Sequence, residues 1–285
     1  MGSVGQAALE RSDHAERCGS LVPLATERLQ PAGLEPFVLR RLIADTPKHL
    51  RAAGPRPNPF LPWDPNLAVQ AMGSTHLVLL NKYPVQRGHL LLISQQWQPQ
   101  AGWLTAADWQ AVAALAADTP GLWFFNSAAA AGASQPHRHL QLLPRSPAEL
   151  LCPLAPMLER QLAGEAPRWP WGYRLDRRRA GGASGETAED PQRSATELER
   201  IYHQHAQALG LGSPHTDAMP RHPYNLLFCA DWFMTVRRIR EHWAGFSLNA
   251  LAFGGYLLLT EGSHLPWLEQ HGPWRLLEAV AAPER

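Results

Sequence analysis

Ten residues near the middle of the chain hold its densest chemistry: Gly132-Ala133-Ser134-Gln135-Pro136-His137-Arg138-His139-Leu140-Gln141. On a strand, residues two apart share a face. His137, His139 and Gln141 then line one face, and Arg138, Leu140 and Leu142 the other. Ahead of them, Gly132 and Ser134 offer a tight loop with free backbone and a hydroxyl, able to donate hydrogen bonds to phosphate oxygens. Three readings meet this pattern. The two histidines can simply sit on a half-exposed strand. They can ligate a metal, which needs further His, Asp, Glu or Cys ligands nearby; Gln141 is a poor ligand, and no carboxylate follows before Glu149. Or one neutral imidazole, with an ordinary pKa of about 6.5, attacks phosphorus. The cationic phosphoramidate so formed leaves readily, which favours a two-step group transfer.

The elements that must position these groups follow from periodicity. Residues 75–80 and 89–94 are apolar runs too short for buried helices; with the eight residues between them they predict an antiparallel hairpin with a long loop. Trp109, Val112 and Leu115 at helical spacing predict a helix over 105–118, stopped by Pro120. Strands are predicted over 122–125 and 138–143, on either side of the small-residue loop. Upstream, residues 1–20 are weakly patterned, short helices are predicted over 24–29 and 36–43, and five prolines make 54–65 an extended loop. Downstream, 177–194 has charges, Gly, Ala and Ser but no large apolar residue, and reads as an exposed linker with Arg177-Arg178-Arg179 as its solvated start. A helix over 196–209 ends at Gly210 and Gly212; strands follow over 224–229 and 232–238, then an apolar segment over 248–259. The expected division is a first part over 1–176, a linker over 177–195 and a second part over 196–285. The mixed order of strands and helices predicts an α+β fold of antiparallel sheets with flanking helices, and the recurrence of hairpins predicts two related halves.

The motif Gly-Ala-Ser-Gln-Pro-His-x-His-Leu-Gln resembles the active-site strand of the diadenosine tetraphosphate phosphorylase (ATP adenylyltransferase) family, in the transferase branch of the histidine-triad superfamily. Asn58-Pro59-Phe60-Leu61-Pro62-Trp63-Asp64-Pro65 resembles that family's entry loop. Leu80-Asn81-Lys82-Tyr83-Pro84 with Gly88-His89-Leu90-Leu91-Leu92 resembles its hairpin. Tyr224-Asn225-Leu226-Leu227 and Leu248–Gly254 resemble its C-terminal part. The galactose-1-phosphate uridylyltransferases are more distant: they have Asn-Pro-His-Pro-His-x-Gln, from which Gln135 and Arg138 depart. From the phosphorylase family itself the chain departs at Val236-Arg237-Arg238-Ile239-Arg240-Glu241, where that family often has Val-Pro-Arg-Ser-Arg-Glu.

The resemblance implies a histidine-triad-like fold and roles by position. His139 would be the nucleophile carrying AMP, His137 would hold the loop and phosphate geometry, and Gln141 would bond a phosphate oxygen or orient His139. Asn126 and Ser134 would donate to the α-phosphate, with Ser127 and Gln135 beside them. Gly132 would allow close backbone approach, Lys82 would bring charge to the polyphosphate, and Asn81 would touch the nucleotide. By composition alone Lys82 is a solvated loop lysine. Gln141 has its own consequence: an amide cannot exchange protons as a third histidine could, so phosphate rather than water resolves the intermediate. The implied reaction is phosphorolysis of diadenosine tetraphosphate to ATP and ADP. Magnesium or another divalent cation accompanies the polyphosphate, with no protein metal cage and no tightly bound organic cofactor. Other nucleotidyl transfers, adenosine phosphosulfate phosphorolysis or hexose-1-phosphate uridylyl transfer, and a non-catalytic nucleotide-binding protein are the alternatives.

Composition narrows the rest. With 285 residues, 45% apolar and 18% charged, the chain is globular and long enough for about two domains. The 26 basic and 25 acidic residues create no field to recruit nucleic acid or an anionic membrane. Three scattered cysteines form no CxxC, which fits a reducing, cytoplasmic compartment. No apolar run is long enough to span a bilayer, the N-terminal residues have no hydrophobic signal core, and Gln6 breaks the myristoylation pattern. Other features read as bland. His203 and His205 do not face each other on a helix, Gly181-Gly182 and Gly210/Gly212 lack a phosphate-loop lysine, and Cys152 and Cys229 are packed small residues.

Overall fold

A computed structural model of the chain describes residues 3–43, 58–146, 148–179 and 190–284. Its frame is one eight-stranded antiparallel sheet. In spatial order the strands are β3 (Ala68–Met72), β4 (His76–Leu80), β5 (Leu90–Ser94), β7 (His139–Pro144), β6 (Gly121–Asn126), β9 (Tyr224–Phe228), β10 (Trp232–Arg237) and β8 (Tyr173–Arg177). The predicted hairpin is β4–β5, paired from His76↔Ser94 to Leu80↔Leu90. The second part of the chain joins the same sheet through β6–β9, from Trp123↔Phe228 to Asn126↔Asn225.

Strand alternation sorts the side chains into cores on opposite faces. Val78, Leu80, Leu90, Leu92, Leu140 and Leu142 pack with three helices: α1 (Val4–Arg17), α2 (Ala106–Asp118) and α4 (Pro191–Ala208). Leu77, Leu79, Leu91 and Ile93 face the other way, with Phe60. Further along that face Leu122, Phe124, Leu227 and Met234 pack with α3 (Ala155–Leu162) and the C-terminal helix α5 (Pro273–Val280). Helix α2 begins where expected: Thr105 and Asp108 close a reciprocal capping box.

The first 43 residues differ from expectation. Residues 4–17 are a helix, N-capped by the Ser3 hydroxyl, burying Val4, Ala8, Ser12 and Ala15. That stripe of small residues has helical spacing but almost no hydrophobic signal. Residues 24–29 and 36–43 are not helices. They hold strands β1 (Thr26–Leu29) and β2 (Val38–Leu42), paired antiparallel, with the distant strand β11 (Tyr256–Leu259) parallel to β2. Pairing with a segment more than 200 residues away overrides local propensity there.

Arg178 corrects another expectation. It is not solvated: it is 8% exposed and donates to the Cys229 carbonyl (2.6 Å) and the Ser194 hydroxyl (2.7 Å). Gly181-Gly182 and most of the predicted linker lie outside the described residues. Strand β8, just ahead of them, pairs with β10. Among the described residues, no helix is long and apolar enough to cross a membrane.

Candidate active site

The sheet sets the spacing of the site. In β5–β7 the register is Leu91↔Gln141 and Ile93↔His139, so both polar side chains emerge on the Phe60 face. On the opposite face Arg138 bonds Asp108 (3.0 Å), and Asp108 bonds His76 (3.0 Å). This buried triad anchors the back of the strand to the first turn of α2. His137 precedes β7 and bridges to Pro99.

His137 and His139 have different surroundings. In His137, Nδ1 meets the Asn58 amide (2.9 Å), while Nε2 meets the Ser94 carbonyl (2.8 Å) and hydroxyl (3.0 Å). Asn58 Oδ1 accepts the Phe60 N–H (3.0 Å), so its NH2 donates to His137 Nδ1 and His137 Nε2 carries the proton. Both ring nitrogens are engaged. In His139, Nδ1 lies 2.8 Å from the His137 carbonyl, which only an N–H can satisfy. The proton is therefore on Nδ1, and the Nε2 lone pair has no partner among the described residues. Burial pushes this imidazole down to about 4, so it is neutral near pH 7. The Phe60 ring flanks both histidines, at 5.6 and 5.5 Å between centroids.

Gln141 is fixed at one end. His89 Nε2 lies 3.1 Å from its Oε1, and Asn81 Nδ2 lies 3.2 Å from His89 Nδ1. Asn81 Oδ1 accepts the Tyr83 N–H (3.0 Å), so the whole series has one polarity. Asn81 donates to His89, His89 donates to Gln141, and the Gln141 NH2 is left open. Burial pushes His89 down to about 3, so it too is neutral. Gln100 is a second clamp: its Oε1 accepts the His139 N–H (2.8 Å), and its NH2 bridges the carbonyls of Asn126 (2.7 Å) and His139 (3.2 Å).

Structure thus brings His137, His139, Gln141 and Asn126 together. Asn126 Oδ1 accepts from Asn225 (2.8 Å) and the Ala250 N–H (2.9 Å), which leaves its NH2 open. Ser127 turns to β9, where its hydroxyl accepts the Tyr224 N–H (2.8 Å). Gly132 has φ +85, and a Cβ there would lie 2.7 Å from Asn249 Cβ, so the close approach it permits is to the C-terminal segment. Ser134 is exposed and Gln135 half-buried, with no hydrogen-bond partner among the described residues. Lys82 is exposed at the hairpin turn, 5.9 Å from the Tyr83 ring centroid. Among the described residues no group of three or more His, Cys, Asp or Glu could hold a metal ion.

Asn58, His89, Ser94 and Gln100 complete the site without being marked as functional in the sequence. Asn58 and His89 sit inside the entry-loop and hairpin motifs. Nothing in the spacing of Ser94 or Gln100 marks either of them.

Two family models match the chain: Ap4A phosphorylase N-terminal domain over residues 1–160, and ATP adenylyltransferase C-terminal domain over residues 169–283. The chain belongs to the Ap4A phosphorylase family. It is a nucleotidyltransferase of that family, with an α+β fold. Protein APA1 of Saccharomyces cerevisiae is 36% identical over 80 residues, which span 26% of this chain and 25% of that protein. The structure of yeast Ap4A phosphorylase Apa2 superposes with a TM-score of 0.71 at 17% identity, covering 100% of this chain and 96% of that one. Apa2 in complex with Ap4A gives 0.72 at 16% identity, covering 100% and 99%. Apa2 in complex with AMP gives 0.70 at 19% identity, covering 100% and 98%. Gln135 and Arg138, which depart from the galactose-1-phosphate uridylyltransferase pattern and not from that of the Ap4A phosphorylase family, leave the strand alternation around His139 intact.

Proposed function

We propose that this protein phosphorolyses diadenosine tetraphosphate, reversibly, to ATP and ADP. His139 Nε2 attacks the α-phosphorus of one adenylyl group, the bond to the bridging oxygen breaks, and ATP leaves. Inorganic phosphate then attacks the adenylyl-histidine, the P–N bond breaks, and ADP forms. The observation that carries this reading is the His139 imidazole: neutral, with Nδ1–H held on the His137 carbonyl and Nε2 left open. The same carbonyl accepts the more acidic Nδ1–H of the cationic intermediate, which stabilises it.

The open NH2 groups of Gln141 and Asn126 supply donors for charge on the non-bridging oxygens. Ser134 and Gln135 add donors from the loop, and Lys82 meets the polyphosphate from the hairpin. Gly132 keeps that loop against the C-terminal segment, and Ser127 ties its start to β9. Magnesium, or another divalent cation, enters with the polyphosphate as part of the substrate. The three free cysteines, two of them buried, support a cytoplasmic setting.

The test is a product assay on diadenosine tetraphosphate with magnesium, with and without phosphate. ATP and ADP are expected only with phosphate. ATP and AMP without phosphate would make the protein a hydrolase. No turnover in either tube would refute this substrate and return the site to other nucleotidyl donors or to binding alone.

A further inference from the structure

Among the described residues Arg238 is the most deeply buried arginine. It follows β10 in the second part of the chain and is 1% exposed. Among the described residues its guanidinium forms no ion pair, and Glu241 acts on it only through space. Nε donates to the Val280 carbonyl (3.1 Å), Nη2 to the carbonyls of Arg240 (2.7 Å) and Leu248 (2.8 Å), and Nη1 to Asn225 Oδ1. Arg138, by contrast, is paired with Asp108. A buried charge without a counter-ion is costly, and an apolar side chain fills such a site at less cost.

What Arg238 does is visible in the amides it meets. The two ends of an asparagine amide are nearly identical in shape, so its neighbours decide which way it faces. Guanidinium is donor-only, so Asn225 must present Oδ1 to it. Asn225 Nδ2 then faces the Ala131 carbonyl (2.8 Å) and Asn126 Oδ1 (2.8 Å). Asn126 Oδ1 accepts from the Ala250 N–H as well, so its NH2 is the end left open. Register carries the row onward. Asn225 pairs with Asn126, and the β6–β7 register, continued two residues past Phe124↔Gln141, sets Asn126 beside His139.

We propose that Arg238 is a positioning residue which, through Asn225, turns the Asn126 amide so that its NH2 meets the α-phosphate. The proposal rests on the phosphorolysis reading for its substrate, but the relay also has a readout of its own. Asn225→Asp gives Arg238 a carboxylate partner and removes the donor that Asn126 needs. Asn126 then turns over, offers its carbonyl to the site and loses the Ala250 N–H. In the folded variant kcat on diadenosine tetraphosphate falls by about 30-fold or more with KM within about threefold; the new carboxylate pairs with the guanidinium but also faces the Ala131 carbonyl, so a lower melting temperature neither supports nor replaces this readout. Hydrogen exchange at the Ala250 amide speeds up by about tenfold or more. An unchanged kcat, or unchanged Ala250 exchange, overturns the relay. A parent enzyme inactive on this substrate, with the exchange signature present in the variant, refutes the substrate and leaves the relay standing. If Asn225→Asp does not fold, Arg238→Lys decides. It keeps the charge but loses the fork, and kcat is expected to fall by about fivefold at unchanged KM; no fall in kcat overturns the proposal.

Discussion

His139 and His205 are both buried imidazoles, 3% and 2% exposed, in different parts of one sheet-and-helix assembly. His205, on α4 against β10, has both nitrogens taken: Nδ1 by Thr235 (2.9 Å) and Nε2 by Asp176 (3.0 Å). His139 has one taken and one open. The same contrast runs through their surroundings. Near β7 and β6, Gln141 and Asn126 each have an oxygen fixed and an NH2 free. Near β8 and β10, Arg178 and Arg238 are held by main-chain carbonyls and side-chain acceptors. A polar group with one open end can be completed by a ligand, whereas a fully paired one holds the fold or fixes the orientation of its neighbours. Substitutions in the first region should therefore remove activity, and those in the second, the Arg238–Asn225 relay apart, stability.

The largest effect expected is from His139→Ala. Turnover of diadenosine tetraphosphate should fall by on the order of 10⁴-fold, with AMP binding within a few-fold and the melting temperature within a few degrees. Rapid-quench kinetics and calorimetry check both halves. Loss of the fold along with the activity would erase the contrast with His205.

Protonation gives the next effect. Burial lowers His139 to about 4 and His89 to about 3, below the ~6.5 of an unfolded chain. Between pH 6.5 and about 4 the unfolded chain binds protons that the folded site refuses, so stability falls as pH falls. Around pH 5 the two histidines together give a slope approaching two protons per molecule, on the order of 2–3 kcal/mol per pH unit. Burial lowers His205 as well, which adds in the same direction. Urea titrations at pH 7.5, 6 and 5 measure this slope. His139→Ala should flatten it by about one proton, and the acid limb of kcat/KM should fall near pH 4 rather than 6.5. Constant stability from pH 6.5 to 5 would mean that the buried imidazoles are charged, and the open nucleophile would be gone.

His205→Ala is the converse test. It leaves Thr235 unpartnered in the core and removes the packing on Phe233, for a loss of about 2 kcal/mol in stability. The kcat of the folded variant should stay within about twofold of the parent. A large loss of kcat would mean that the second region acts on the chemistry more widely than through Arg238 and Asn225.

How far this contrast was legible beforehand depends on what kind of signal each residue carries. His137, His139 and Gln141 declare themselves by period-two spacing, and β7 confirms that alternation in its register. The β4–β5 hairpin and helix α2 have clear local periods and caps. Helix α1 is illegible because Ala8, Ser12 and Ala15 bury little apolar surface; β2 is illegible because one of its partners is remote, and β1 because it is held only as the edge neighbour of β2. The open-versus-fixed state of each amide was equally hidden. It depends on which donor meets which acceptor across strands, as with Gln100 reaching both Asn126 and His139, and no one-dimensional period encodes that. Arg238 shows the limit most clearly. In the sequence it is one arginine in a basic run, and only burial separates it from its exposed neighbour Arg240.

The smallest effect, and the finest test of the open-end rule, is at Gln141. Removing its amide by Gln141→Ala takes one donor from the phosphate and one acceptor from His89, and about a tenfold fall in phosphorolysis is expected. That is about 1.4 kcal/mol, far short of the loss at His139. Gln141→His should act differently. An imidazole can accept and return a proton where an amide cannot, so water gains on phosphate as the second nucleophile. The ADP-to-AMP product ratio, read by chromatography at fixed phosphate, should fall in Gln141→His and hold steady in Gln141→Ala. An equal fall in both variants would mean that the amide excludes water by its bulk, and that its open NH2 end contributes little to the choice of acceptor.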